Sequence, residues 1–470
     1  MAALLGRLHF YIGLFVGPFL LVAALSGVLY ALTPQIENRL YDHALHTDSE
    51  GQALTLAEQV RRAQALVGSE LAVAAVRPAP APGQTTRVMF SVPGLGASEH
   101  RAVFVDPVSG EIRGDLPVYG TSGVLPLRTW IDQFHRGLML GDVGRLYSEL
   151  AASWLWVAAL GGLWMWWQRR PRAGVRRWHA TAGLWLSAGL LFFSATGLTW
   201  SQYAGDNIGV LRAHYGWSTP SVKTALGSHA AIPAGEHAHH LNALGPDAAA
   251  VTATSTVMPM EMPMNMPMDE HAEHHAGAPA PAQAAGAVDP SMFDQVLAVA
   301  RASDITAAKL EIRPATGPAK AWVVNEIDRG WPTQVDAVSI DPRTMTVVDH
   351  ARFTQYSLPA KLTRWGIDAH MGVLFGLANQ IVLVLVAGGL AAMVVLGYVM
   401  WWRRRPALRR DTRLVDAWRA CSVPAQVLSL VVAVLLGLAL PLLGASLALL
   451  VVLDLLIGLR STAAQVPVVD

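Results

Sequence analysis

The chain has 470 residues, 53% hydrophobic and only 15% charged, with a formal net charge of +1. That balance points to a membrane protein with sizeable soluble parts and offers no electrostatic basis for binding nucleic acid. A single cysteine, Cys421, excludes intramolecular disulfides, thiolate clusters and CxxC redox chemistry.

Six apolar runs approach the roughly 20 residues needed to cross a bilayer. They lie at about 8–32, 145–167, 179–201, 373–402, 423–441 and 442–459. The last two are separated only by Pro441 and read as a hairpin. The first run is long and has no small-residue cleavage site, so it is expected to be a retained anchor, not a signal peptide. QRRPRAGVRRW follows the second run and RRRPALRRDTR the fourth. The positive-inside rule keeps both loops, and with them the N-terminus, in the cytoplasm. The long connections, about 33–130 and 203–362, then face the other side.

Each connection carries a small α+β pattern. In the first, Thr55 and Glu58 start a helix as a capping box, and LAVAAVRP, TRVMFSV and HRAVFVD read as strands before the turn DPVSGE. In the second, SMFDQVLAVARAS is the helix, KLEIRPA, KAWVVNEID and DAVSID are strands, and DPRTMT is the turn. Between them a low-complexity insertion, about 219–288, holds Met258, Met260, Met262, Met264, Met266 and Met268, followed by His271, His274 and His275. Thioether and imidazole together suit copper, whereas a plain disordered spacer needs neither.

The two halves repeat each other. His9 opens LHFYIGLFVGPFLLVAALSGVLY and His179 opens WHATAGLWLSAGLLFFSATGLTW, with Ser26-Gly27 answered by Thr196-Gly197. His135 in FHRGLMLGDVG and His370 in AHMGVLFGLANQ each precede a Trp-Trp pair by 31 and 32 residues. Topology places His9 with His179 near the cytoplasmic surface and His135 with His370 near the opposite one. Imidazoles paired across facing helices suit haem, clamping its iron from both sides in a closed centre for electron transfer. A non-haem metal and purely structural polar contacts remain the alternatives. Gly13, Gly17, Gly183 and Gly189 leave room for a macrocycle or for close helix contact.

This layout resembles the PepSY-associated transmembrane family of bacterial inner-membrane proteins over about residues 1–405. The resemblance rests on the His-led spans, the FHRGLMLGDVGR and AHMGVLFGLANQ segments, the Trp-Trp-Arg exits and the two Asp-Pro turn modules. It implies a membrane α-helical bundle of about six transmembrane helices with two small periplasmic α+β PepSY-like modules, built as an internal parallel repeat. The segments are helix one (1–33), the first module (34–130), helices two (131–171) and three (172–202), the Met/His-rich insertion (203–290), the second module (291–361), helix four (362–405) and the C-terminal hairpin (406–470). It also implies reduction of a periplasmic ferric-siderophore or other metal chelate. Two non-covalent, bis-His haems are then expected on His9 with His179 and His135 with His370, since no CxxCH is present. The Met/His tract departs from the family pattern and keeps open a Cu(II) reductase or copper-handling protein. A sensor or transporter whose modules bind a ligand is the non-enzymatic alternative.

No nucleotide-binding motif occurs, so electrons must come from a separate donor, a membrane quinol or a cytoplasmic reductase. His43, His46, His100, His214 and His350 are expected to be solvated, as are Glu326 and Asp328 on a strand face. Trp154, Trp164, Trp185 and Trp200 read mostly as aromatic-belt anchors, and Asp454 as pairing within the hairpin.

Overall fold

The computed structural model describes residues 2–96, 98–120, 122–168, 170–171, 173–226, 288–404 and 413–463. Its first long helix, Ala2–Leu40, joins α1 (Ala2–Tyr11), one π turn (Ile12–Val16) and α2 (Gly17–Leu40). A π turn disturbs the regular i→i−4 ladder, and here the Tyr398 hydroxyl donates to the Leu14 carbonyl at 2.7 Å.

The first extramembrane region runs through α3 (Asp42–Leu45), α4 (Leu56–Val67), β1 (Val73–Arg77), β2 (Thr86–Phe90), β3 (Glu99–Val105) and β4 (Ile112–Tyr119). Helices α5 (Pro126–Gly137), α6 (Gly141–Gln168), α7 (Gly174–Thr199) and α8 (Tyr203–His214) follow. The second half repeats the plan with α9 (Ser291–Ala302), β5 (Leu310–Arg313), β6 (Trp322–Glu326), β7 (Ala337–Asp341), β8 (Thr346–Ala351), α10 (Leu358–His370) and α11 (Gly376–Arg404). After Arg413 come α12 (Leu414–Arg419), α13 (Val423–Ala439) and α14 (Pro441–Ala463).

Among the described residues, four helices are long and apolar enough to cross a membrane: Ala2–Leu40, Gly141–Gln168, Gly174–Thr199 and Gly376–Arg403. The expected fifth and sixth spans appear as the shorter apolar pair α13 and α14. Expected helices two and four are each broken in two. Leu138 and Met139 adopt φ of 52° and 61° between α5 and α6, and Gly372 and Gly376 adopt 74° and 55° between α10 and α11. At the first break only glycine fits at position 144, because a Cβ there would lie 1.7 Å from the Gly137 carbonyl oxygen.

The strands of the two expected modules join edge to edge. Eight strands run in the order β4-β3-β2-β1-β5-β6-β7-β8, joined at the centre by antiparallel pairing of Val76 with Ile312. Valine-rich strands bury one face under α4 and α9, where Val60, Phe90, Val103, Phe293, Ile312 and Val324 share a single core. The Asp294 carboxylate on α9 accepts the Leu56 and Ala57 amides at 2.8 and 2.9 Å, so one half caps the other's helix. Thr55 caps α4 as expected, at 3.2 Å from the Glu58 amide, but Glu58 pairs with Arg61 and Arg62 and so completes only half of the box.

At the seam, Arg77 reaches Glu311 at 2.6 Å and Arg313 reaches it at 2.5 Å. Burial pushes the Glu311 carboxyl up, but Arg77 and Arg313 outweigh it and hold it below the ordinary carboxylate range. Burial, with help from Arg77, pulls the Arg87 guanidinium down to about 9.

Several polar residues sit elsewhere than expected. Glu326 is buried, bracing the Thr306 and Ala307 amides at 2.7 and 2.8 Å, and does not lie on a solvated face. His100 and His350 each bury a ring nitrogen. Asp454 pairs outside the hairpin, accepting from the Tyr11 hydroxyl at 2.6 Å and from the Leu414 and Val415 amides at 3.1 Å each.

Candidate functional site

The structure brings the four repeated histidines together in two pairs. His135 in the last turn of α5 and His370 at the end of α10 line one cavity of about 230 Å³. Leu20, Ala24, Leu155 and Leu390 line it among the helices, as does Arg136 at the end of α5, whereas Tyr119 at the end of β4, Ser122 and Arg329 come from the sheet and the segments leaving it.

The duplicated dipeptides serve this cavity. The Ser26 hydroxyl on α2 lies 2.8 Å from His135 Nδ1, and the Thr196 hydroxyl on α7 lies 2.6 Å from His370 Nδ1. Each hydroxyl has one proton and its own helical carbonyl to give it to, Val22 at 2.7 Å and Phe192 at 2.7 Å. With those protons given to the carbonyls, the hydroxyl oxygens can accept from Nδ1–H, an arrangement that leaves Nε2 as the lone-pair nitrogen of both rings. The glycines beside the hydroxyls also line the cavity, and a Cβ on Gly27 would come within 3.4 Å of His135 Cε1. Phe193 and Trp200 set their rings edge-on to His370, each with centroids 5.3 Å away. The Tyr147 hydroxyl donates to the His135 carbonyl.

His9 and His179 form the second pair, with ring centroids 6.4 Å apart and planes at 87°. A metal–imidazole bond of about 2 Å puts two ligating ring centres roughly 6 Å apart, so this separation suits one metal atom between them. His179 Nδ1 lies 3.1 Å from the Met393 carbonyl, which can only accept, and Nε2 again carries the lone pair. Among the described residues no group meets hydrogen-bond geometry with the buried His9 Nδ1, the ring lies beside the Ala158 carbonyl, and it packs on Gly162, where a Cβ would lie 3.4 Å from His9 Cε1. Ser26 follows His9 by 17 residues and Thr196 follows His179 by 17. At a rise of about 1.5 Å per residue, the two pairs stand roughly 25 Å apart along the helices.

These features suit haem: three of the four rings oriented through Nδ1 by a hydroxyl or carbonyl, glycines where side chains would intrude, and an aromatic and aliphatic wall. Of the glycines expected to make room, Gly17, Gly183 and Gly189 face Tyr398, Met393 and Val386 in helix contact, and Gly13 meets open space. Among the expected belt tryptophans, Trp164 and Trp185 are exposed, Trp154 is buried and donates to Ser446 at 2.9 Å, and Trp200 lines the cavity. Met258, Met260, Met262, Met264, Met266, Met268, His271, His274 and His275 lie outside the described residues. Among the described residues, no group of three or more His, Cys, Asp or Glu side chains is placed to hold a metal ion.

The cavity residues that sequence reading missed are Arg136, Arg329 and Tyr119. Ser26 and Thr196 stood out only as repeat markers. A family model described as the PepSY-associated TM region matches residues 6–404. No curated protein matches the chain.

Proposed function

The chain belongs to the PepSY-associated transmembrane family, and on that footing we propose that it is a di-haem reductase of the bacterial inner membrane. Haem bound at both pairs supplies one-electron redox chemistry at two depths of the bilayer. His9 and His179 ligate at the cytoplasmic side, and His135 and His370 at the periplasmic side. Held by two imidazoles at each pair, the group would have its ligand positions filled by protein, which would suit electron transfer over oxygen activation. Ser26, Thr196 and the Met393 carbonyl hold the ligand tautomers, while Phe193, Trp200 and Leu155 keep water from the outer pair.

Positive-inside orientation puts the N-terminus in the cytoplasm and the sheet in the periplasm, as paired PepSY modules over the outer pair. The α13–α14 hairpin supplies the fifth and sixth spans. A membrane quinol or cytoplasmic reductase gives the electrons. A periplasmic ferric chelate, a siderophore above all, takes one electron, and the resulting Fe(II), a poorer partner for hard oxygen donors, is released.

The observation that carries this reading is the commitment of both outer imidazoles to hydroxyls that already donate elsewhere. Oxidised and reduced absorption spectra of the purified protein test it. Bis-imidazole bands are expected, with half of the signal lost in His135→Ala or His370→Ala together with chelate reduction. A colourless protein, or both haems retained in each single variant, refutes it. The alternating methionines of the insertion support copper handling as a second reading.

A further inference from the structure

We propose that Asp454 on α14 is a positioning residue for His9, latching α1 through the Tyr11 hydroxyl so that the imidazole is presented to His179; this rests on the di-haem reading above. The asymmetry of the inner pair points to it. His179 is oriented by the Met393 carbonyl, and His135 and His370 by hydroxyls. His9 Nδ1 has no group in hydrogen-bond geometry with it among the described residues. Its ring is therefore aimed by the helix that carries it.

That helix has a setting of its own, because the π turn at Ile12–Val16 separates α1 from the regular ladder of α2. At about 100° per residue, His9 and Tyr11 stand on nearly opposite sides of α1. One side meets His179. The other meets the C-terminal segment, where the Tyr11 hydroxyl donates to Asp454 at 2.6 Å. Asp454 is 3% exposed and is itself fixed by the Leu414 and Val415 amides at 3.1 Å each. Arg7 covers the Tyr11 ring, its guanidinium carbon 4.9 Å from the centroid. Ile12, beside Tyr11, and Leu450, one turn before Asp454, are buried in one apolar cluster. A ring nitrogen lies roughly 6 Å from the helix axis, so turning α1 by about 10° displaces it by roughly 1 Å, about half a metal–imidazole bond. The repeat makes the latch particular to one half, since the residue two places after His179 is Thr181. The family match ends at residue 404, before the segment that holds the partner. The hairpin thus gives His9 the orientation that the Met393 carbonyl gives His179.

The test uses the full-length chain carrying His370→Ala, so that only the inner pair is complete, titrated with iron protoporphyrin IX and followed by absorption. Tyr11→Phe removes the hydroxyl and keeps the ring. It should weaken uptake by roughly ten-fold or more, the scale of a lost orienting partner, and turn the low-spin bis-imidazole spectrum into a high-spin one. Added free imidazole, which needs no helix to aim it, should restore the low-spin spectrum. Asp454→Asn, which leaves one carbonyl oxygen for three donors, should act in the same way. In a chain carrying His179→Ala, where only the outer pair is complete, Tyr11→Phe should change nothing. Ser446→Ala controls for hairpin docking alone, since it removes the 2.9 Å contact with Trp154 and leaves Tyr11 and Asp454 in place. Should Asp454→Asn fail to fold, Tyr11→Phe carries the test. An unmoved inner spectrum in Tyr11→Phe, or an equal change in Ser446→Ala, overturns the inference while the di-haem reading stands. A parent chain with no bis-imidazole spectrum sinks both.

Discussion

Replacing Thr196 by valine removes one hydroxyl and keeps the side-chain shape, so it isolates the 2.6 Å contact to His370 Nδ1. Without that acceptor the ring loses the bond that fixes both its rotation and its Nδ1–H tautomer. Loss of such a ligand-orienting partner costs about 10–100-fold in affinity, or about 1.4–2.7 kcal/mol. Fold stability should change far less, because threonine and valine have similar helix propensities and the lost hydroxyl bonds its own helix. The assay is haem titration of the purified protein, reading the outer bis-imidazole band. Thr196→Ser should restore affinity. Ser187→Ala is the control, since Ser187 donates to the Leu184 carbonyl at 2.8 Å on the same helix. Unchanged outer-site affinity in Thr196→Val, or an equal loss in Ser187→Ala, would show that the hydroxyl does not orient a ligand.

Three further outcomes are expected. Gly162→Leu should abolish the inner-pair signal and spare the outer one, because a Cβ already meets His9 at 3.4 Å; spectra of the purified variant check this. Glu311 titrates below its unfolded value of about 4.3, so its contribution to stability is present above that pH and is lost as pH falls through the lower folded value. Thermal melts at acid and neutral pH should therefore show wild type losing more on acidification than Glu311→Gln, and parallel losses would contradict it. Deleting 255–277 should leave ferric-chelate reduction intact while impairing copper tolerance, measured by reductase assay and by growth in copper.

The four histidines were legible because duplication at fixed spacing is a one-dimensional signal, and helix geometry carries it unchanged into depth. The hydroxyls of Ser26 and Thr196 were visible as repeats, but their role was not. Each meets a histidine 109 or 174 residues distant in sequence, on a short helix whose break from its span depends on left-handed turns at 138, 139, 372 and 376. The merged sheet was hidden for a different reason. Val73–Arg77 and Leu310–Arg313 alternate as edge strands or as central ones equally well, and nothing local specifies a partner. Arg329 lies in an irregular segment with no periodicity to aim it. Asp454 looked like a hairpin residue because its partners, Tyr11 and the first amides of α12, come from segments that only tertiary packing brings alongside.

The seam between β1 and β5 makes the two halves depend on each other. A single half, standing alone, would present the β1 or β5 edge with unsatisfied amides and carbonyls. Each half supplies the other's missing neighbour, so neither could close its roof alone, even though their sequences differ where Arg136 follows His135 and Met371 follows His370.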